Sequence, residues 1–232
     1  MTVRVSKLAT NYPIDVIGLP THAPLLTWAV EADVAGLNQS AYQISVDGKD
    51  GEVVKSSESI EVQAPGTVSD RQIVTYRVRV ETAQGWSDYS APITYEAGLK
   101  SGADFIGDHV GDDSSHSAPS PILRKEFAAK RVTKARLYVA SEGLHDVYIN
   151  GVHTSNEYLT PGWTAYDDRR TYLTYDVTGL INEGTNAIAI ELGDGWTRGK
   201  LGFMDKYDNY NTKLSANILL EMINSDGTKD VV

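Results

Sequence analysis

Two glycine-rich segments of this 232-residue chain concentrate the side chains that suit a polar ligand. Residues 159–170 read LTPGWTAYDDRR, and residues 191–203 read ELGDGWTRGKLGF. Both combine aromatic rings with charged groups, the composition of a site that stacks a sugar ring and hydrogen-bonds its hydroxyl groups. The candidate stacking residues are Trp163, Tyr166 and Trp196, and the candidate hydroxyl-binding residues are Asp167, Asp194 and Arg198.

A structural role competes with sugar binding at the two tryptophans. Large aromatic side chains are highly buried on average, and the neighbouring glycines supply unusual backbone angles. Leu201 and Phe203 follow Trp196 closely and offer its ring apolar partners. We therefore expect Trp196 to matter more for stability than for sugar binding.

Acid–base catalysis by the carboxylates of these segments is disfavoured. With 31 acidic residues in the chain, close pairs such as Asp167 and Asp168 arise by chance, and adjacent residues of a strand point to opposite faces. The five histidines lack metal-ligand spacing, and neither a GxSxG elbow nor a GxxxxGK loop is present. The sequence predicts no catalytic and no metal-binding residue.

The composition excludes several classes of partner. The net charge of −10 repels polyanions, so we expect neither nucleic acid nor anionic membranes as partners. No segment approaches the roughly 18 consecutive apolar residues of a membrane span. Without cysteine the chain forms no disulfide, and its first residues lack the features of a secretory signal. These observations predict a cytoplasmic location.

The elements that must position these residues are strands. Apolar and polar residues alternate in short runs such as residues 42–46 and 76–80, which is typical of half-buried antiparallel strands. The runs end in turn dipeptides, for example Asp47-Gly48 and Asn150-Gly151. The pattern predicts an all-β chain, with a fibronectin-III- or immunoglobulin-like sandwich over residues 1–99 that has Trp28 in its core.

A change of composition separates a second domain from the first. Glycine, serine and aspartate dominate residues 100–121, which predicts a linker. Strand patterns resume over residues 122–232 and predict an antiparallel sandwich or jelly roll. Its last strand has barely begun at Val232, and because natural sheets protect their edges, we expect this domain to be incomplete at its C-terminus.

Four ordered strings in the second half resemble the N-terminal jelly-roll module of bacterial α-L-rhamnosidases. They are YING at 148–151, PGW at 161–163, TYDVT at 174–178 and GDGW at 193–196. The first half is similar to the fibronectin-III-like module that precedes it, through PLLTW at 24–28, QSAYQISV at 39–46 and WSDYS at 86–90. Together the resemblance covers nearly the whole chain.

The resemblance implies a parent enzyme that hydrolyses terminal α-L-rhamnose from glycosides with inversion, with its paired acidic residues on a separate (α/α)₆ barrel. The partners of this chain would then be the remaining domains of the parent and rhamnose-containing glycosides. Related rhamnose-binding modules hold a calcium ion near the YxNG hairpin, which makes Asn150 a candidate substrate-binding residue. Here Ile149 precedes it, and the loss of an oxygen ligand at that position disfavours calcium, so we expect no cofactor.

The leading hypothesis is that the chain forms non-catalytic accessory domains of an α-L-rhamnosidase, which brace the catalytic barrel and border its substrate cleft. The alternative is a freestanding rhamnose-binding module. Affinity for L-rhamnose separates the two, because a binding module retains it in isolation and a bracing module does not.

Overall fold

The computed structural model describes residues 3–13, 16–116, 118–202 and 206–232, and these form two compact units, Met1–Ser101 and Gly102–Val232. Every pair of named strands is antiparallel, and each of the four sheets lies within one unit. The predicted all-β class is therefore confirmed. Among the described residues, no helix is long and apolar enough to cross a membrane.

The first unit packs a three-stranded sheet against a five-stranded one. The smaller sheet runs in the order β1 (Val3–Thr10), β2 (Leu25–Ala32), β5 (Val62–Gln63). The larger one runs β4 (Lys49–Val54), β3 (Gln39–Val46), β6 (Ile73–Thr82), β7 (Gly85–Trp86), and β8 (Ile93–Glu96) also pairs with β6. Trp28 is buried in the core between them, as predicted, and its indole nitrogen donates to Gln39 Oε1 at 3.0 Å.

The second unit packs two larger sheets around one core. One sheet runs β10 (Ile122–Ala129), β15 (Gly184–Gly193), β12 (Leu144–Ile149), β13 (Val152–His153). The other runs β14 (Tyr172–Asp176), β11 (Val132–Glu142), β16 (Leu214–Asn224), β17 (Lys229–Val231), and β9 (Val110–Asp112) also pairs with β16. The core cluster draws on both sheets, through residues such as Leu137, Ile190 and Leu220.

The helical content is small and local. The only helices in the described part of the chain are the four-residue α1 (Gly195–Arg198) and two 3₁₀ turns, Gly102–Asp104 and Thr178–Leu180. The hairpins form where the sequence predicts them. Asp47 and Gly48 have φ angles of 50° and 77°, and Asn150 and Gly151 have 52° and 81°, the positive values that a tight two-residue turn requires.

Residues 100–121 do more than link the units. The division falls at Ser101 and Gly102, and the segment after it contributes β9, which pairs with the first residues of β16. Asn217 Nδ2 also donates to Gly107 O at 2.8 Å. The described part of the predicted linker is thus attached to the edge of one sheet of the second unit.

Candidate functional site

The two glycine-rich segments become two loops of the second unit, and direct contacts hold them together. One loop connects β13 to β14, and the other connects β15 to β16 through α1. The ring of Tyr166, from the first loop, meets Tyr210 of the second edge-on at a centroid distance of 5.1 Å. Tyr210 N–H in turn donates to Thr197 O at 3.1 Å. The sequence-predicted residues of these two loops therefore share one region of the unit.

The two candidate tryptophans stack on each other. Their rings are parallel within 1°, with centroids 6.0 Å apart, which is an offset-stacked arrangement. Trp163 is the outer ring at 53% exposure, whereas Trp196 is half-buried. The structure adds Trp163 as a partner of the Trp196 ring. The expected contact with Phe203 lies outside the described residues. The stack leaves an indole surface open to solvent.

The sequence suggests that Arg198 binds the hydroxyl groups of a sugar, but the structure buries its side chain. It is 2% exposed, and its Nε and Nη2 each lie 2.7 Å from Asp194 Oδ1. Its Nη1 donates to Ser114 O, which ties the segment after β9 to the loop. These three nitrogens already have partners inside the unit, and through them Arg198 connects Asp194 to the segment after β9.

The glycines around α1 permit this tight arrangement. Gly195 has a φ of 50°, and a Cβ atom on it would lie 2.8 Å from Leu144 Cγ. A Cβ atom on Gly199 would lie 2.3 Å from the carbonyl oxygen of Gly195, closer than any real side chain approaches. The single turn that presents Trp196 and buries Arg198 therefore requires glycine at both positions.

The remaining candidates of the first loop have different environments. Tyr166 is buried, its hydroxyl donates to Gly162 O at 3.1 Å, and burial raises its pKa. Asp167 and Asp168 are exposed in a turn that Asp168 N–H closes onto Ala165 O at 2.9 Å. The two carboxylates thus lie on an exposed turn.

Asn150 lies in the β12–β13 hairpin and is fully engaged with the fold. Its Nδ2 donates to Leu180 O at 2.9 Å and to Asn186 Oδ1 at 2.8 Å, and its Oδ1 accepts from Ala187 N–H at 2.9 Å. Ile149 is completely buried in the core. Within the described ranges, no group of three or more His, Cys, Asp or Glu side chains is arranged to hold a metal ion.

The sequence interpretation missed a buried histidine network beside the first loop. His145 is 3% exposed, with Nδ1 2.8 Å from Ser141 Oγ and Nε2 3.1 Å from Tyr175 Oη. Ser141 Oγ donates to Gly143 O at 3.0 Å, so Nδ1 carries the imidazole proton and Nε2 accepts from Tyr175. Burial lowers the pKa of His145 to about 4. The alternation of His145, Val147 and Ile149 in β12 was the signal that this side chain points inward.

Two family models match the chain, one in each half. Residues 5–101 match the model described as Rha78A-like, N-terminal immunoglobulin domain. Residues 130–232 match the model described as α-L-rhamnosidase N-terminal domain. The two matches follow the observed division into units and together span most of the chain.

Curated relatives and a solved structure agree with these models. An α-L-rhamnosidase of Alteromonas sp. is 33% identical over 84% of this chain and 24% of its own length. One from Formosa agariphila is 31% identical over 92% of this chain and 26% of its own length. The crystal structure of the Aspergillus terreus enzyme superposes on 100% of this chain and 28% of its own, with a TM-score of 0.86 at 30% identity. The chain thus spans about a quarter of the length of these relatives.

Proposed function

We propose that this chain is a non-catalytic accessory part of an enzyme that removes terminal α-L-rhamnose from glycosides. The chain belongs to the α-L-rhamnosidase family and corresponds to the N-terminal domains of its members. The observation that carries the proposal is the pair of matched N-terminal domain models over two all-β units. Because the chain corresponds to about a quarter of the length of its relatives, most of the enzyme lies outside it. Its partners are then the remaining domains of that enzyme.

The electrostatics of the described residues support a non-catalytic role. A glycosidase general acid needs a carboxyl group whose pKa is raised. Among the described residues, the carboxyl pKa values that the surroundings displace are all lowered. They belong to Glu31, Asp112, Asp176 and Asp226. Hydrogen bonds from Arg, Ser or Thr side chains are the main cause at three of the groups, and at Asp176 burial raises the pKa but is outweighed by the hydrogen bonds of Thr178 and the charge of Arg136.

Bracing of the catalytic domains is the finer role that we propose. The loop between β13 and β14 exposes three large apolar side chains within six residues: Tyr158 at 91%, Leu159 at 61% and Trp163 at 53%. Exposed apolar groups concentrated in this way are typical of surfaces that contact another domain or a ligand. Bracing predicts that the remaining domains, expressed alone, melt at a lower temperature than in the presence of this chain.

The purified chain is expected to release no aryl alcohol from an aryl α-L-rhamnoside above the buffer rate, because the acid and base lie on other domains. A chromogenic assay at substrate saturation measures this directly. The controls are Asp167→Asn and Asp194→Asn, which should give the same buffer rate as the parent chain. Turnover that either substitution abolishes would overturn the non-catalytic assignment.

The second candidate function is binding of rhamnose by the chain itself, and the outer ring of the Trp163–Trp196 stack favours it. Under the bracing proposal, calorimetry with L-rhamnose should give no saturable heat. If L-rhamnose binds and Trp163→Ala lowers the affinity tenfold or more, roughly the effect of losing one stacking ring, the result would favour the binding-module function over bracing. The matched control is Trp86→Ala, another exposed tryptophan, which lies in the first unit. It should leave any such affinity unchanged.

The cytoplasmic location expected from the sequence stays a prediction. Fractionation of the source cells, with an antibody raised against this chain, tests it.

A further inference from the structure

The end of one central strand lies between the two loops that carry the stacked tryptophans. In the order β14, β11, β16, strand β11 has a neighbouring strand on each side. The first loop leads into β14, and the second loop leads into β16. Because both neighbours run antiparallel to β11, the two loops reach the sheet beside its last residue, Glu142.

The carboxylate of Glu142 contacts both loops. Its Oε1 forms an ion pair with Arg170 Nη2, at the end of the first loop. This pair continues the register of β11 with β14, in which Ala140 lies opposite Tyr172. The other oxygen, Oε2, accepts a hydrogen bond of 2.5 Å from Asn211 Nδ2, in the second loop. One side chain thus joins the two loops to the same point of the sheet.

Hydrogen bonds within the first loop extend this attachment to Trp163. The carbonyl oxygen of Arg169, the residue before Arg170, accepts from Thr164 Oγ1 at 3.0 Å. Arg169 N–H donates to Ala165 O at 2.9 Å. These bonds close a turn over residues 164–169, and Thr164 directly follows Trp163. The position of Arg170 therefore determines that of the outer indole.

The path from Glu142 to Trp196 in the second loop is just as short. Asn211 N–H donates to Thr197 O at 3.4 Å, beside a bond of 3.1 Å from Tyr210 N–H to the same oxygen. Thr197 directly follows Trp196 in α1. Glu142 is thus connected to each ring of the stack by a short series of hydrogen bonds.

The surroundings of Glu142 make its charge essential to these contacts. The residue is 8% exposed, whereas the side chain of Arg170 is 47% exposed. A buried carboxylate needs a cation and hydrogen-bond donors, and Arg170 and Asn211 supply them. If the charge is removed, water solvates Arg170 better than a neutral side chain does, and the end of the first loop is released.

We propose that Glu142 is a positioning residue: its carboxylate fixes the two loops relative to each other, so that the Trp163–Trp196 stack is preformed for the domain that the chain braces. A preformed surface avoids the entropy loss of ordering side chains on association. The contact of Tyr166 with Tyr210 also joins the loops, but it attaches neither of them to the sheet. This inference rests on the proposed function and adds the residue that prepares the bracing surface.

The indole N–H signals in the nuclear magnetic resonance spectrum of the isotope-labelled chain test the positioning role. The chain has four tryptophans, and two of them, Trp28 and Trp86, lie in the first unit and serve as internal references. In Glu142→Gln the signals of Trp163 and Trp196 should move toward the shift of a free indole, because each ring loses the ring current of the other. The reference signals should stay in place.

A matched control separates positioning from a general loss of stability. Glu221 of β16 has a side chain that is 11% exposed, and it pairs at 2.8 Å with Lys229, which is 43% exposed. Its burial and its partner's exposure thus resemble those of the Glu142 pair, in the same sheet. Glu221→Gln should lower the urea midpoint of the second unit about as much as Glu142→Gln, without moving the signals of Trp163 and Trp196.

Substitutions of the cation identify the charge as the cause. Arg170→Lys keeps the charge and should leave the stack intact, whereas Arg170→Met should move the indole signals as Glu142→Gln does. When the chain is added to the remaining domains of the parent enzyme, Glu142→Gln should weaken binding about fivefold, roughly the effect of ordering one more side chain on association. Arg170→Lys should leave this binding unchanged.

Three results would overturn the proposal. They are unchanged signals of Trp163 and Trp196 in Glu142→Gln, equal movement of these signals in Glu221→Gln, and separation of the stack with no change in binding to the remaining domains. If the parent chain itself does not bind the remaining domains, the bracing proposal fails separately. The indole signals, which are measured on the chain alone, still confirm or contradict the positioning role in that case.

Discussion

Acidification from pH 6.5 to pH 4 is expected to lower the free energy of unfolding of the second unit by roughly 3 kcal/mol, because burial makes His145 take up its proton at a much lower pH in the folded unit than in the unfolded chain. In the unfolded chain its pKa is near 6.5, and in the folded unit it is about 4. The unfolded state therefore binds more protons throughout this window. The stabilisation is complete above pH 6.5 and is lost as the pH falls through the folded pKa.

Urea titrations at a series of pH values measure this dependence. The transition of the second unit is identified by its response to Leu220→Ala, a core change expected to cost about 3 kcal/mol. His145→Gln removes the titrating ring, so its stability should vary little between pH 6.5 and 4.5. Ser141→Ala removes only the Nδ1 partner and should lower stability at every pH while keeping the slope. An unchanged slope in His145→Gln would contradict the assignment.

The strands and hairpins of this chain could be predicted because their signals are local. Alternation along β3, β6 and β12 follows directly from the two-residue period of a strand that buries one face, and Asp47-Gly48 and Asn150-Gly151 have the chemistry of tight turns. The short strand β9 could not be predicted in this way. Its three residues lie in a segment rich in glycine and aspartate, and it forms a strand because β16, about a hundred residues later, offers an edge.

The sequence predicted which segments form the candidate site, but it did not predict the environments of the individual residues. Composition identified the two loops and their aromatic rings, and the structure brings the two loops together. Burial is a property of the assembled unit, so the sequence could not show that Arg198 is enclosed or that Trp196 stacks on Trp163. A charged side chain is exposed by default, and only the turn of α1 brings Asp194 to Arg198.

Removal of the Asp194 carboxylate is expected to lower the free energy of unfolding of the second unit by about 3 kcal/mol, the lower end of the range for breaking a buried ion pair. Arg198 is almost fully buried and cannot lose its charge, so Asp194→Ala leaves a cation inside the unit whose fixed partner among the described residues is Ser114 O. The side chain of Asp194 is 29% exposed, which allows water to compensate in part. Denaturant titration at pH 7 measures the loss.

A double-mutant cycle distinguishes this structural role from sugar binding. Arg198→Met keeps much of the side-chain volume and removes the charge, so combining it with Asp194→Ala should cost clearly less than the sum of the two single changes. Asp167→Ala, at an exposed carboxylate of the neighbouring loop, is the matched control and should cost less than about 0.5 kcal/mol. If Asp194→Ala proves as mild as this control and instead removes affinity for L-rhamnose, the pair binds hydroxyl groups and the site belongs to a sugar-binding module.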